Sequence, residues 1–401
     1  MKHKLLFVAP IMSRSGYGDH AREFCNFLLS QQMFDFNLVA TPWGNNPQTG
    51  LNSELEKKLS KYFISDKDKF PEYDVFVQMG LPNEFKQIGK KINVGITAGV
   101  ETSCVGKEFI DGVNSMDYLI VPSTFTKQSF TDSRYQNEQK QVYGITTPIQ
   151  VIPETADSCY YSESTSENCE IISSIKEEFC FLSVGQWDVD SEFGDRKNIE
   201  SLVISFLTAF KDTEKQPALV LKVNCNNFSV SDYIKCRNKI REIKNGIESD
   251  NLPNVYLLHG NLSTEEMHSI YIDPKTKVFV THTRGEGFGR PILESTLCGK
   301  PVLATKWSGH LDIVDKKHSI LLPGKLKNVN VSNNIFDENS KWMEVDLDYS
   351  SDSMKKVFSE YEKYSNKADK LKIINLEKFS SHSNVTLYNN FFKEILSSKI
   401  D

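Results

Sequence analysis

Short apolar runs alternate with amphipathic stretches along nearly the whole chain. In the first part, runs at residues 5–9, 37–40, 75–78, 93–97, 118–121 and 150–152 read as strands. After Gly18, the side chains of Ala21, Phe24, Cys25 and Leu28 fall at i, i+3, i+4 and i+7, one apolar face of a helix. A second series of runs follows at 179–184, 218–223, 255–258, 278–281, 302–304 and 320–322. Helical spacing lies between these as well, for example Ile199, Leu202, Val203 and Phe206. Strand–helix alternation predicts parallel sheets covered on both faces, so the expected class is α/β with two Rossmann-like domains. Such domains put their ligand crevices at the carboxyl ends of the strands, and a cleft between facing ends is the expected site.

The two series are separated by Ser/Glu-rich residues 154–175, read as the connection. The expected domains are 1–155 and 156–382, with 383–401 as a terminal helix packing back on the first. Residues 325–341, rich in Asn, Lys and Ser, predict an exposed loop. Amphipathic stretches near 353–367 and 384–397 follow, and no repeat of 20–50 residues is visible.

Length and charge narrow the classes. A chain of 401 residues suits two domains. No run approaches the roughly 18 apolar residues of a membrane span. The opening Lys2-His3-Lys4 and its apolar run imitate a signal peptide, but Pro10 interrupts them and a buried first strand is expected. Net charge is −6, and residues 1–150 carry 16 basic and 16 acidic side chains. No domain-wide basic field is therefore expected to draw nucleic acid or anionic membrane. Eight cysteines without a C-x-x-C pair predict buried thiols in a reducing, cytoplasmic setting.

The densest chemistry lies in Arg284-Gly-Glu-Gly-Phe-Gly-Arg-Pro-Ile-Leu-Glu294, directly after a predicted strand. Pro291 suits the first turn of a helix and Gly299 the position beyond its end. Gly285, Gly287 and Gly289 then form the strand-to-helix turn, where bare backbone approaches a ligand. The amides of Phe288 and Gly289 at that helix N-terminus favour an anion such as phosphate. Glu286 and Glu294 are placed to grip sugar hydroxyls from one crevice.

This segment resembles the E-x7-E signature of family 4 retaining glycosyltransferases, which have the GT-B fold. Cys298-Gly-Lys-Pro-Val-Leu-Ala-Thr and Gly309-His-Leu-Asp-Ile-Val continue the likeness. Ser183-Val-Gly-Gln-Trp187 with Arg196-Lys-Asn198 resembles the family's glycine strand end and its basic pair. The resemblance implies that Arg196 and Lys197 hold the donor diphosphate, whose growing negative charge they stabilise without a metal. Gln186 stands where many members have Arg. From residue types alone the basic pair also fits a solvated helix start. His259-Gly260-Asn261 resembles the loop whose backbone contacts the nucleotide base, although Gly260 fits an ordinary turn equally well.

In the first part, Ser13-Arg-Ser-Gly16-Tyr-Gly18-Asp-His-Ala-Arg22 is ambiguous with a dinucleotide-binding loop. The resemblance makes Gly16 and Gly18 the glycine loop that reaches the donor phosphates. His20 is open between an acceptor-side role and a helix-start surface position. Gly99-Val-Glu101-Thr-Ser resembles a subgroup that places Glu101 on the acceptor side. Asp188-Val-Asp190 spells a metal-binding D-x-D, read as chance, and no histidine spacing suits a metal.

The resemblance implies a nucleotide-sugar-dependent retaining transferase, with a UDP- or GDP-linked sugar as substrate and neither cofactor nor metal. Glu286 orients the transferred sugar and Glu294 the ribose. The acceptor is expected to be a saccharide or lipid-linked glycan. The alternative is a hydroxymethylated pyrimidine in bacteriophage DNA, since the opening residues look like those of phage-encoded glycosyltransferases. A nucleotide-sugar epimerase is the third reading. A dehydrogenase would rest on the Gly16 loop alone.

Overall fold

The computed structural model describes residues 2–64, 72–88, 91–162, 169–189, 194–225, 229–329, 336–337 and 339–398. The chain divides into two compact units. One comprises Met1–Thr155, Asn330–Ser340 and Ser381–Asp401; the other comprises Ala156–Val329 and Lys341–Ser380.

In the first unit, strands β1 (His3–Ala9), β2 (Phe34–Ala40), β3 (Val75–Met79), β4 (Ile92–Ile96) and β5 (Tyr118–Val121) precede a two-residue-strand hairpin, β6 (Tyr135–Gln136) with β7 (Val142–Tyr143). Strand β8 (Ile149–Val151) closes the series. The main sheet runs in the order β2-β1-β3-β4-β5-β8, with every pairing parallel. Strand alternation sorts the core. Leu5, Phe7 and Ala9 enter one apolar cluster, while Leu6 enters the cluster on the opposite face. The first cluster is sealed by the C-terminal helix Ser381–Ser398. Its Phe392 stacks on Phe27 of the Gly16–Ser30 helix at 5.7 Å and 11°.

The second unit repeats the plan with β9 (Cys180–Gln186), β10 (Ala218–Asn224), β11 (Val255–Leu258), β12 (Thr276–Val280), β13 (Val302–Thr305) and β14 (Ile320–Leu322). Its order is β11-β10-β9-β12-β13-β14, again parallel. Phe181 faces one cluster; Cys180 and Leu182 face the other. In each sheet the winding direction reverses once, between β1 and β3 and between β9 and β12. Ligand crevices in open α/β sheets form at such points.

Two expectations change. The predicted loop at 325–341 begins and ends in an antiparallel pair, β15 (Gly324–Asn328) with β16 (Lys341–Val345). Every residue of β15 is exposed, so no alternating apolar pattern marks it; only Trp342, Met343 and Val345 of its partner are buried. Between these strands, Phe336 packs on the first unit's cluster around Phe109, and Ser340 Oγ donates to the Cys104 carbonyl at 3.1 Å. Second, residues 353–367 are not one helix. Leu347–Ser359 ends at Glu360, and Tyr361–Lys378 begins anew.

Candidate active site

The site in the second unit is built at the reversal between β9 and β12. After β9 the chain turns through Asp195, whose carboxylate accepts from the amides of Lys197 at 3.1 Å and Ile199 at 2.7 Å. Those bonds begin the Ile199–Phe210 helix. Burial raises Asp195 to about 6, outweighing the amides, Arg284 and Arg196 that favour its charge. Gly185 in β9 leaves room for the neighbouring cation: a Cβ there would lie 3.3 Å from three carbons of the Lys197 stem. The two cations thus emerge from a tightly held turn, not from the solvated helix start that residue types also allowed.

After β12 the chain forms the glycine turn. The Arg196 guanidinium donates to the Gly285 carbonyl at 2.7 Å, and Thr283 Oγ1 donates to the same oxygen at 3.0 Å. Glu286 is buried between the cations. Lys197 Nζ lies 2.5 Å from Oε1 and Arg196 Nη1 3.2 Å from Oε2. Burial alone would raise the Glu286 carboxyl. Lys197 and Arg196, with hydrogen bonds from Lys197 and Thr283, hold it instead at about 2. It is an anion at any physiological pH.

A further chain of hydrogen bonds sets the Glu286 backbone. Its amide donates to Ser308 Oγ at 2.9 Å. His310 Nε2 lies 2.7 Å from the Thr305 carbonyl and therefore carries the proton, leaving Nδ1 to accept from Ser308 Oγ at 3.2 Å. Burial keeps His310 neutral, which that arrangement requires. Gly309 lies against this turn so closely that a Cβ would sit 2.1 Å from the Gly287 carbonyl. Gly289, at φ +105°, caps the Arg290–Leu297 helix with Pro291 in its first turn. Phe288 is buried against Phe379 and anchors the turn. Glu294 lies one turn into that helix; Tyr160 and Tyr271, their hydroxyls pushed up by burial and then by this carboxylate, are its neighbours.

At the ends of β10 and β11 the peptide of Gly260 is held from both sides. Its amide donates to Asn224 Oδ1 at 2.8 Å, and its carbonyl accepts from Lys222 Nζ at 2.8 Å. Gly260 has φ +114° and open space around its Cα, which leaves the loop with Asn261 accessible. Burial lowers Lys222 to about 8. Sequence reasoning missed Lys222, Asn224, Ser308 and the role of His310. An apolar strand bearing one Lys, in Leu-Val-Leu-Lys-Val-Asn, was the available signal for the first.

In the first unit Gly16 is exposed, and a Cβ would meet nothing within 4 Å. Gly18 differs: a Cβ there would lie 2.0 Å from the Ser13 carbonyl. Arg22 braces the same turn by donating to the carbonyls of Ile11 and Ser13, both at 2.9 Å. His20 is not a surface residue. It is 2% exposed, with Nε2 3.3 Å from the Tyr388 hydroxyl and Nδ1 3.9 Å from Glu154, because its position on the helix faces the C-terminal helix. Glu101 is half-buried, after β4 and the left-handed Gly99. Asp190 of the D-x-D lies outside the described residues. Among the described residues no cluster of three His, Cys, Asp or Glu side chains is placed to hold a metal.

Residues 196–332 match the family model described as Glycosyl transferases group 1. The fold is similar to that of HepE from Anabaena, solved with UDP and glucose. That match covers 99% of this chain and 100% of the other, at 15% identity and a TM-score of 0.61. It is also similar to sucrose-phosphate synthase from Thermosynechococcus elongatus, over 99% and 100%, at 13% identity and a TM-score of 0.67. A third similar structure is the apo lipopolysaccharide outer core galactosyltransferase WaaB, over 98% and 99%, at 15% identity and a TM-score of 0.59. No curated protein matches the sequence. The fold is GT-B, and the group 1 domain spans the basic pair, the glycine turn and both glutamates. Domain and fold together support the glycosyltransferase class of enzyme. Among the described residues no helix is long and apolar enough to cross a membrane.

Proposed function

We propose that the protein is a retaining glycosyltransferase that moves a sugar from a nucleotide diphosphate to a saccharide hydroxyl, acting without a metal. The observation that carries this reading is the ion cluster at the β9/β12 reversal: one buried carboxylate, Glu286, held by Arg196 and Lys197. Arg196 and Lys197 bring a guanidinium and an ammonium to one point beside Glu286, the pair of donors that a diphosphate takes. When the diphosphate takes the cations, Glu286 is released to accept hydroxyls of the donor sugar.

In this mechanism the bond from the anomeric carbon to the diphosphate oxygen breaks and a bond to the acceptor oxygen forms on the same face. The acceptor proton passes to the departing diphosphate. Arg196 and Lys197 stabilise the charge that gathers there, the electrostatic contribution that usually dominates such steps. Glu294 holds the ribose, and the Gly260–Asn261 backbone meets the base. Gly16 contacts the donor phosphates, a role its open surroundings permit. The complexes of HepE with UDP and UDP-glucose favour UDP over GDP as the first nucleotide to test.

The test is a panel of UDP- and GDP-sugars with saccharide, lipid-linked and hydroxymethylated-DNA acceptors, followed by release of nucleotide and by the anomeric configuration of the product. Nucleotide release that depends on a saccharide or lipid-linked glycan, with retained configuration, is expected. Transfer only to DNA, inverted product, or conversion of donor without acceptor would each overturn the reading.

A further inference from the structure

An aromatic pair stands at the carboxyl edge of the first unit's sheet. The rings of Tyr17 and Trp43 are stacked, with centroids 4.0 Å apart and planes at 27°. Tyr17 lies in the first turn of the helix after β1, and Trp43 lies three residues beyond β2. Tyr17 cannot rotate. Its hydroxyl accepts from the Ala98 amide at 3.0 Å and shares a hydrogen bond with Thr97 Oγ1, also at 3.0 Å. Thr97 and Ala98 directly follow β4. The Trp43 turn is fixed as well, since its carbonyl accepts from the Asn46 amide at 3.1 Å and from Asn46 Nδ2 at 3.0 Å. Trp43 nevertheless stays half-buried. The pair is thus a rigid aromatic ledge, built from three strand ends on the side of the sheet where ligands bind.

Two carboxylates act on the pair. Glu101 and Glu154 both act on Tyr17 electrostatically, after the larger effect of burial. Of the two arginines near it, Arg22 is held by the carbonyls of Ile11 and Ser13 and by Asp19, and Arg14 donates to the Thr49 carbonyl at 3.3 Å. An aromatic face beside carboxylates suits a neutral polyol. The C–H face of a pyranose lies on the ring while its hydroxyls donate to carboxylate oxygens. A nucleic acid also stacks on aromatics, but its phosphates need cations at the same place.

We infer that Trp43, backed by Tyr17, is the floor of a saccharide acceptor site on the first unit, with Glu101 receiving acceptor hydroxyls. This rests on the glycosyl-transfer reading and names the residues of the first unit that receive its acceptor. Trp43 selects acceptors by stacking and takes no part in donor binding.

The full chain has four tryptophans, so its indole N–H signals are resolvable after ¹⁵N labelling and assignable with W43F. Methyl glycosides of glucose, galactose, mannose and N-acetylglucosamine serve as probes. At least one is expected to shift the Trp43 signal, and E101A weakens that shift. In transfer assays with the glycoside giving the largest shift, W43A raises the acceptor KM about tenfold while W43F recovers part of the loss. The UDP dissociation constant of W43A, unchanged within twofold, shows the donor unit intact. No Trp43 shift with any glycoside, a shift with hydroxymethylated DNA alone, or an unchanged acceptor KM in W43A would overturn the inference. Absence of donor turnover by the wild type would instead remove the transferase reading, while the glycoside titration still decides the role of Trp43.

Discussion

Lys197 Nζ and Glu286 Oε1 are 2.5 Å apart, although 89 residues separate them and they follow different strands. The pair is largely buried, with side chains 12% and 9% exposed, and Arg196 completes it from the other oxygen. Removing Glu286 leaves an uncompensated buried cation. Glu286→Ala is expected to lose about 3 kcal/mol of stability in urea unfolding. UDP, by supplying phosphates to the same cations, should restore a larger share in the variant than it adds to the wild type. Turnover should fall about a hundredfold or more. A folded variant with normal turnover excludes the proposed sugar contact.

The depressed Glu286 gives a pH signature. A free glutamate titrates near about 4.3, while Glu286 is held at about 2. Its contribution is therefore fully present above the ordinary carboxylate range and is lost as pH falls through about 4 towards 2. The stability gap between wild type and Glu286→Gln should shrink as pH falls from 4 to 2, below the range where Asp195 titrates, measured by urea unfolding at each pH.

Gly16 and Gly18 should part company. Gly18→Ala drives a methyl group into the Ser13 carbonyl and should lower the melting temperature by several degrees. Gly16→Ala meets open space and should leave the melting temperature unchanged. The proposed phosphate contact predicts that Gly16→Val nevertheless raises the donor KM. A donor KM unmoved by Gly16→Val shows that nothing binds beside it.

Lys222 carries a buried positive charge whose folded value, about 8, lies below its ordinary one of 10.5. A lysine lowered in this way costs stability below the folded value. The cost disappears as pH rises towards the unfolded one. Wild-type stability should therefore gain on that of Lys222→Met between pH 8 and 10. His259, lowered by burial and then by the Lys222 charge, lies beside it, so the comparison is made as a difference between the two proteins. Without the bond to the Gly260 carbonyl, Lys222→Met should also bind UDP more weakly by calorimetry. Equal UDP affinity would show that the Gly260 loop holds its shape unaided.

Tyr388 tests what His20 does. Tyr388→Phe removes one buried hydrogen bond and should cost about 1 kcal/mol in urea unfolding. UDP affinity should not change, since both residues lie inside the first unit's core. A variant as stable as wild type would show that the 3.3 Å contact contributes nothing.

Much of the framework was legible because burial on both faces of a parallel sheet writes itself as continuous apolar runs. All twelve main-sheet strands coincide with such runs within a few residues. The exposed strand β15 was not legible, because with no buried face it had no pattern to show. The glycine turn at 285–289 was legible through Pro291 and the glycines, which only a strand-to-helix junction requires. The burial of His20 was not legible, because a histidine in a first helical turn looks alike whether it faces solvent or another helix. The partner that decides, Tyr388, is 368 residues away.

By itself the sequence determined the class of fold, the strand positions and the glycine turn, since these follow from local periodicity and from residues close in the chain. The tertiary structure alone decided that Lys197 and Arg196 close on Glu286, that Lys222 holds Gly260, and that Tyr17 stacks on Trp43. Each of those contacts depends on strand order. The winding of a sheet brings together groups from separate strand ends, and no pattern along the chain records that distance.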